Sequence, residues 1–149
     1  MKRKILVVAS AGGHWHQACQ ITEALPAEDL FFVTTMDELP QMDGKAPFAI
    51  VADCNKNTPF RFLLCIGQAV SCLLRQRPDV VISTGALPGF AFIMIAHFLR
   101  IRTIWIDSVA NAEEPSLAGQ KARRFSTLWL SQWKHVADQV GGRFEGSVL

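Results

Sequence analysis

The sequence predicts a doubly wound α/β domain, a parallel sheet with helices on both faces. Three observations predict it. Short apolar runs recur along the chain, they are continuous rather than alternating, and helical segments fall between several of them. Continuous runs are expected of parallel strands buried on both faces. Strand–helix alternation at this spacing implies crossover connections within one sheet. With 149 residues, 50% hydrophobic and 19% charged, the chain fits one domain with a packed core, residues 1–149.

The first strand is expected over 5–9, after Met1-Lys2-Arg3-Lys4 and before Ser10 and two glycines. That run is too short for a signal-peptide core. Further strands are expected over 31–35, 48–51, 79–83, 103–106 and 127–130, and helices over 14–25, 59–76, 87–99, 117–125 and 132–139. No uninterrupted apolar stretch reaches the ~18 residues needed to span a bilayer. Thr58 and Pro59 form a start signal for the helix over 59–76, a cap followed by proline in the first turn. On it Arg61, Gln68, Ser71 and Arg75 gather on one side. The opposite arc, with Phe62, Leu63, Ile66, Ala69, Val70, Leu73 and Leu74, covers roughly half the wheel, against ~100° for a core-facing stripe. The helix over 87–99 is apolar nearly all round, broken chiefly by His97. Each helix is either sandwiched within the fold or a membrane or partner surface, the latter helped by Arg61, Arg75, Arg77, Arg100 and Arg102.

Charge narrows the partners. Lys and Arg number 15 against 13 Asp and Glu, and a net charge of +2 is too weak for a dedicated nucleic-acid binder. Residues 1–57 carry 5 basic and 7 acidic side chains and residues 58–149 carry 10 and 6, so an anionic partner is expected on the second part. Cys19, Cys54, Cys65 and Cys72 show no C-x-x-C spacing and no paired His cluster, which gives no support for a zinc site. Cys65 and Cys72, seven apart in an apolar segment, read as small core residues, and the chain is expected to be cytoplasmic or on the cytoplasmic face of a membrane.

Doubly wound sheets place ligands at the carboxyl ends of their strands, so the loops after Ala9, Ser83 and Ile106 are where chemistry is expected. The first is Ser10-Ala11-Gly12-Gly13-His14. Its glycines allow a tight turn and bring N–H groups close to an anion at the following helix N-terminus; a plain tight turn is the alternative. It is not a G-x-G-x-x-G fingerprint, Thr34-Thr35-Met36 puts no acid directly after the second strand, and no Gly-Lys-Ser/Thr exists. His14 opens the helix, where the positive end of the dipole disfavours imidazolium and suits a general base; a surface histidine is the alternative. His16 points elsewhere. The second loop runs from Ser83 through Thr84 and Gly85 to Pro88, offering a hydroxyl and an open backbone. The third begins Asp107-Ser108, a carboxylate and a hydroxyl expected to face the same crevice or to act as turn caps.

Taken in order and spacing, these segments resemble the acceptor-side, membrane-associated subunit of the bipartite UDP-N-acetylglucosamine transferase of lipid-linked oligosaccharide synthesis, and more closely its bacterial relatives of exopolysaccharide and capsule clusters. The resemblance covers almost the whole chain. It rests on Ser10-Ala11-Gly12-Gly13-His14, residues 78–85 with Pro88, Ile106-Asp107-Ser108, Ser116-Leu117-Ala118-Gly119, Gln132-Trp133 and the terminal segment 142–149. The N-terminal half of the peptidoglycan lipid-intermediate glycosyltransferase is similar at lower resolution.

The resemblance implies a Rossmann-like half of a two-domain GT-B glycosyltransferase, its other half, with most of the UDP-sugar site, on a separate donor-binding polypeptide. It implies a polyprenyl-diphosphate-linked acceptor glycan and a peripheral place on the cytoplasmic face of the cell membrane. Transfer would be inverting, with UDP-sugar as substrate, no cofactor and no required metal; the absent Asp-x-Asp signature agrees. Carried over, Ser10, Gly12 and Gly13 would cradle a diphosphate, His14 would be the base or a charge-positioning group, and Thr84 and Gly85 would line the pocket. Asp107 and Ser108 would lie near the acceptor sugar, Asp107 departing from the glutamate more usual there. Two other functions compete: a non-catalytic membrane adaptor that recruits the glycosyltransferase partner, and a free-standing nucleotide-binding protein, against which the absent fingerprint counts.

Overall fold

In the computed structural model, which describes residues 3–25, 29–45 and 47–148, seven parallel strands form one sheet. Met1, Lys2 and Leu149 lie outside the described residues. In chain order the elements are β1 (Lys4–Val8), α1 (Gly13–Glu23), β2 (Asp29–Thr34), α2 (Glu38–Met42), β3 (Phe48–Ile50), α3 (Pro59–Gln76) and β4 (Val80–Ser83). There follow α4 (Ala86–Phe98), β5 (Arg102–Ile106), α5 (Leu117–Ala122), β6 (Leu128–Ser131), α6 (Lys134–Val140) and β7 (Arg143–Phe144).

The strand order is β3-β2-β1-β4-β5-β6-β7. The chain therefore winds outward from β1 to β3, returns along α3, and winds the other way from β4. Because parallel crossovers are right-handed, the two directions place their helices on opposite faces. The α1 face packs Trp15, Ala18 and Cys19 on Ile5, Val7, Phe32 and Ile82, with Leu39 of α2 beside them. On the other face, Cys65, Ala69 and Leu73 of α3, residues 90–93 and 96 of α4 and Ala122 of α5 pack on Leu6, Val8, Val33, Val81, Trp105 and Trp129, with Val140 of α6 at the margin. Ile104 and Ile106 of β5 join the α1 face only partly buried, and Leu128 and Leu130 of β6 belong to neither cluster.

Differences from the sequence expectation have local causes. The expected helix over 117–125 breaks at residue 123 into a 3-10 turn, Arg123–Phe125, where the Phe125 carbonyl accepts the Thr103 hydroxyl. The helix expected from 132 begins at Lys134, because Trp133 is extended and its N–H donates to Ser131 Oγ. Of the two apolar helices, α4 is corrected as an outward surface: it is sandwiched between the sheet, α3 and α5, leaving its end at Phe98 and Leu99 exposed. Helix α3 splits its apolar arc. Cys65, Ala69 and Leu73 go inward, while Phe60, Leu63, Leu64 and Leu74 face out, Phe60 with 84% of its surface exposed.

Candidate functional site

The strand order reverses between β1 and β4, and at such a point the loops leaving neighbouring strands diverge to opposite faces and open a crevice. Here the loops after β1 and β4 are latched to each other. Thr84 Oγ1 donates to the His14 carbonyl at 2.6 Å, and His14 Nδ1 lies 3.0 Å from the Thr84 carbonyl oxygen. A carbonyl only accepts, so Nδ1 carries the proton; a neutral ring then keeps its lone pair on Nε2. Nε2 has no hydrogen-bond partner among the described residues. The imidazole is half-buried against Gly85, where an added Cβ would overlap the ring.

Backbone conformation opens both helix starts. Gly12 has φ +87° and Gly85 φ +139°, values that favour glycine, and Ala86 also has a positive φ of 69°. Neither cap residue, Gly12 for α1 or Gly85 for α4, supplies a side-chain acceptor to the first turn. The start of α1 therefore retains donor capacity and a positive dipole end beside the crevice, an arrangement suited to an anion, whereas at α4 the His14 ring covers the buried Gly85, whose N–H donates to Ser83 Oγ. A Cβ at Gly12 or Gly13 would meet nothing within 4 Å, so this side is open space. Ser10 is buried at the base of the loop, and the N–H of Ala11 donates to Thr35 Oγ1 at 3.3 Å.

The loop after β5 behaves differently. Asp107 and Ser108, expected either to face the crevice with His14 or to cap turns, both commit their side chains to protein groups. Asp107 is 1% exposed and turned under α5: Oδ1 accepts Ser116 Oγ–H at 2.6 Å and Trp105 Nε1–H at 3.0 Å, while Oδ2 accepts the Ser116 N–H at 3.0 Å. Ser116 Oγ in turn caps α5 by accepting the Gly119 N–H. The cost of burying the carboxylate is offset because three donors meet it at once. Ser108 Oγ accepts from Gln17 Nε2 at 3.0 Å, one turn along α1 from His14.

Two residues outside the candidate set complete this arrangement. Gln17 Oε1 accepts the Val109 N–H and Gln132 Nε2–H, and Gln132 also donates to the Asp107 carbonyl and accepts the Val148 N–H. Both glutamines are buried with their amides satisfied, which ties α1, the β5 loop, the end of β6 and the terminal segment together. Gln17 is not singled out in the sequence, and Gln132 stands only within the motif Gln132-Trp133. Cavities among the described residues include one of about 190 Å³ under 145–148, one of about 440 Å³ between β3 and α3, and one of about 500 Å³ between the ends of α3 and α4.

No family model matches the chain, and no curated protein does. Solved structures do match. A crystal structure of UDP-N-acetylglucosamine 2-epimerase superposes with a TM-score of 0.76 at 13% identity, over 94% of this chain and 44% of that one. Acinetobacter baumannii MurG gives 0.70 at 14%, over 87% and 41%. The fold is a Rossmann-like domain of the GT-B type. The Staphylococcus aureus MnaA–UDP co-structure gives 0.71 at 16%, over 94% of this chain and 40% of that one. This GT-B-type domain thus spans less than half the length of the chains it matches.

Proposed function

We propose that the chain is the acceptor-side half of an inverting UDP-sugar glycosyltransferase whose donor-binding half is a second polypeptide. The acceptor is a polyprenyl-diphosphate-linked glycan presented at the cytoplasmic face of a membrane, and the product is a longer glycan for polysaccharide synthesis. One observation carries the reading: His14, held through Nδ1 by Thr84, keeps an uncommitted Nε2 beside the open start of α1. The likeness to structures of UDP-sugar enzymes, among them one holding UDP, agrees with it.

In the step proposed, an acceptor hydroxyl attacks the anomeric carbon of the donor sugar and passes its proton to His14 Nε2. The bond between that carbon and the diphosphate oxygen breaks, and UDP leaves with the electron pair. Gly12 and Gly13 bring backbone close to the acceptor diphosphate, whose charge the start of α1 offsets, while Gly85 gives the His14 ring its room in the pocket. Thr84 is a positioning residue, and so are Asp107 and Ser108, which hold the β5 loop against α1 and α5. No cofactor enters this scheme.

The outward stripe of α3 fits the membrane part. Phe60, Leu63, Leu64 and Leu74 stand exposed beside Arg61, Arg75 and Arg77, and α3 contains no acidic residue. Apolar side chains flanked by arginines suit an anionic lipid surface. Among the described residues no helix is long and apolar enough to cross a membrane. The same stripe also favours a second reading, a non-catalytic adaptor that brings the glycosyltransferase to the membrane. Reconstitution separates the two: chain plus donor half, supplied with UDP-sugar and a polyprenyl-diphosphate-linked glycan, should transfer sugar when neither does alone. An adaptor would leave the donor half fully active in detergent without this chain.

A further inference from the structure

Strand β3 is one edge of the sheet, paired with β2 alone. The Phe32 N–H donates to the Pro47 carbonyl, and the Val51 N–H donates to the Thr34 carbonyl. Backbone groups alternate in direction along a strand, so residues 47, 49 and 51 turn theirs toward β2. Phe48 and Ile50 turn N–H and C=O outward, where they meet no partner among the described residues. Between this edge and α3 lies the cavity of about 440 Å³, with the small side chains of Ala49 and Cys72 in its lining. Its α3 wall is the side of that helix on which Gln68, Ser71 and Arg75 gather.

We propose that this groove binds the extended C-terminal tail of a partner protein, laid antiparallel on β3 with its terminal carboxylate at Arg75. Tail binding at β3 is independent of the transfer reaction. Donors stand in surplus here. Arg75 gives Nε and Nη2 to Ser71 Oγ and has no ion pair among the described residues. Gln68 spends Oε1 on the Ala52 N–H at 2.7 Å, which leaves its Nε2 spare, and the Gln76 amide has no hydrogen-bond partner among the described residues. No acid lines the groove. These groups call for a ligand rich in acceptors, and a carboxylate meets an arginine with a charge-assisted bond.

Direction and length follow from the fold. Helix α3 runs back from the carboxyl ends of the strands to the start of β4, so Arg75 and Gln76 sit at the amino end of β3. A strand added antiparallel to β3 ends there. From Gln68 to Arg75 the helix rises about 10 Å, the length of about three extended residues. So few ladder bonds hold little by themselves, and a chain terminus adds its carboxylate to them. A lipid surface satisfies none of the outward groups of Phe48 and Ile50, and β3 of a second copy brings no acid within residues 47–51.

The test is selection of phage-displayed peptides with free C-termini and randomised last residues against the full chain. The enriched peptide is then made as the acid and as the C-terminal amide. Expected is a Kd at least about tenfold lower for the acid than for the amide. Arg75→Gln should raise the Kd of the acid by about tenfold and leave that of the amide unchanged, while the variant melts like the parent. In hydrogen exchange followed by NMR on the parent chain, saturating acid should slow the Phe48 and Ile50 amides by at least about tenfold. That protection marks strand addition and does not arise from a peptide held by Arg75 alone. No enrichment, an amide that binds as tightly as the acid, or unchanged exchange at Phe48 and Ile50 overturns the inference. So does a chain whose Phe48 and Ile50 amides are protected by self-association before peptide is added.

Discussion

Thr84 and His14 hold each other across the switch point: the threonine hydroxyl donates to the histidine carbonyl at 2.6 Å, and the histidine Nδ1–H donates to the threonine carbonyl at 3.0 Å. This pair sets the imidazole tautomer and fixes where Nε2 points. Replacing Thr84 with valine keeps its shape and removes the first bond. Thr84→Val should lower stability by about 1–2 kcal/mol in urea melts and reduce kcat more than it raises KM. An unchanged kcat would mean that the latch is structural alone.

Gly13 separates cradle from turn. Its backbone is helical, and a Cβ there would meet no protein atom within 4 Å. Gly13→Ala should therefore melt no lower than the parent, since alanine is the better helix former. If the loop cradles a diphosphate, the added methyl fills that space, and KM for the lipid-linked acceptor should rise at least about tenfold. Gly85→Ala is expected to fail differently, because its φ of +139° and the His14 ring both resist a side chain.

Asp107 tests whether the buried carboxylate is structural. Both oxygens receive hydrogen bonds, from Ser116 and Trp105, so an asparagine amide would set N–H against a donor. Asp107→Asn should cost roughly 2–3 kcal/mol in chemical denaturation while the folded variant, in the proposed transfer assay, retains the parental KM for acceptor. Normal stability with a large rise in KM would return Asp107 to the acceptor site.

Burial pushes the Cys65 thiol up to about 12, with the neighbouring Cys54 adding to the shift. A thiol held protonated above its unfolded value stabilises the fold fully below about pH 9. That contribution is lost as pH rises from the unfolded value toward about 12, because the unfolded chain then releases a proton the folded one keeps. Melts from pH 8 to pH 11 (approximate range) should show stability falling, and Cys65→Ala should flatten that slope. Iodoacetamide at neutral pH should spare Cys65 in the native chain and label it in denaturant.

The α3 stripe should carry membrane binding. The chain should float with phosphatidylglycerol vesicles, less with phosphatidylcholine, and less as salt rises. Leu64→Asp, on the exposed side of α3, should abolish flotation without changing the melt. Flotation that survives this change would move the attachment elsewhere.

Much of this architecture is legible in the residues themselves. The run at residues 5–9 is continuous and apolar because β1, in the middle of the parallel sheet, is buried on both faces, and the loops after β1 and β4 followed from that pattern. What escaped has short-range or tertiary causes. β7 is two exposed residues that exist as a strand only through pairing with β6, and α2 is five residues around Pro40, too short for a period. At the site, His14 and the glycines were visible as motif. The inward turn of Asp107 was not, since it depends on Ser116 and Trp105 arriving from separate elements. Gln17 and Gln132, 115 residues apart, bond each other only in the folded chain.

The central claim is that His14 Nε2 takes the acceptor proton. It is tested most directly by the single-turnover rate of sugar transfer from radiolabelled UDP-N-acetylglucosamine to a polyprenyl-diphosphate-linked glycan. The chain is paired with its donor half, and parent and His14→Ala are compared at matched stability. The account predicts a fall of at least about 100-fold in His14→Ala with acceptor affinity little changed. Transfer at the parental rate would contradict it.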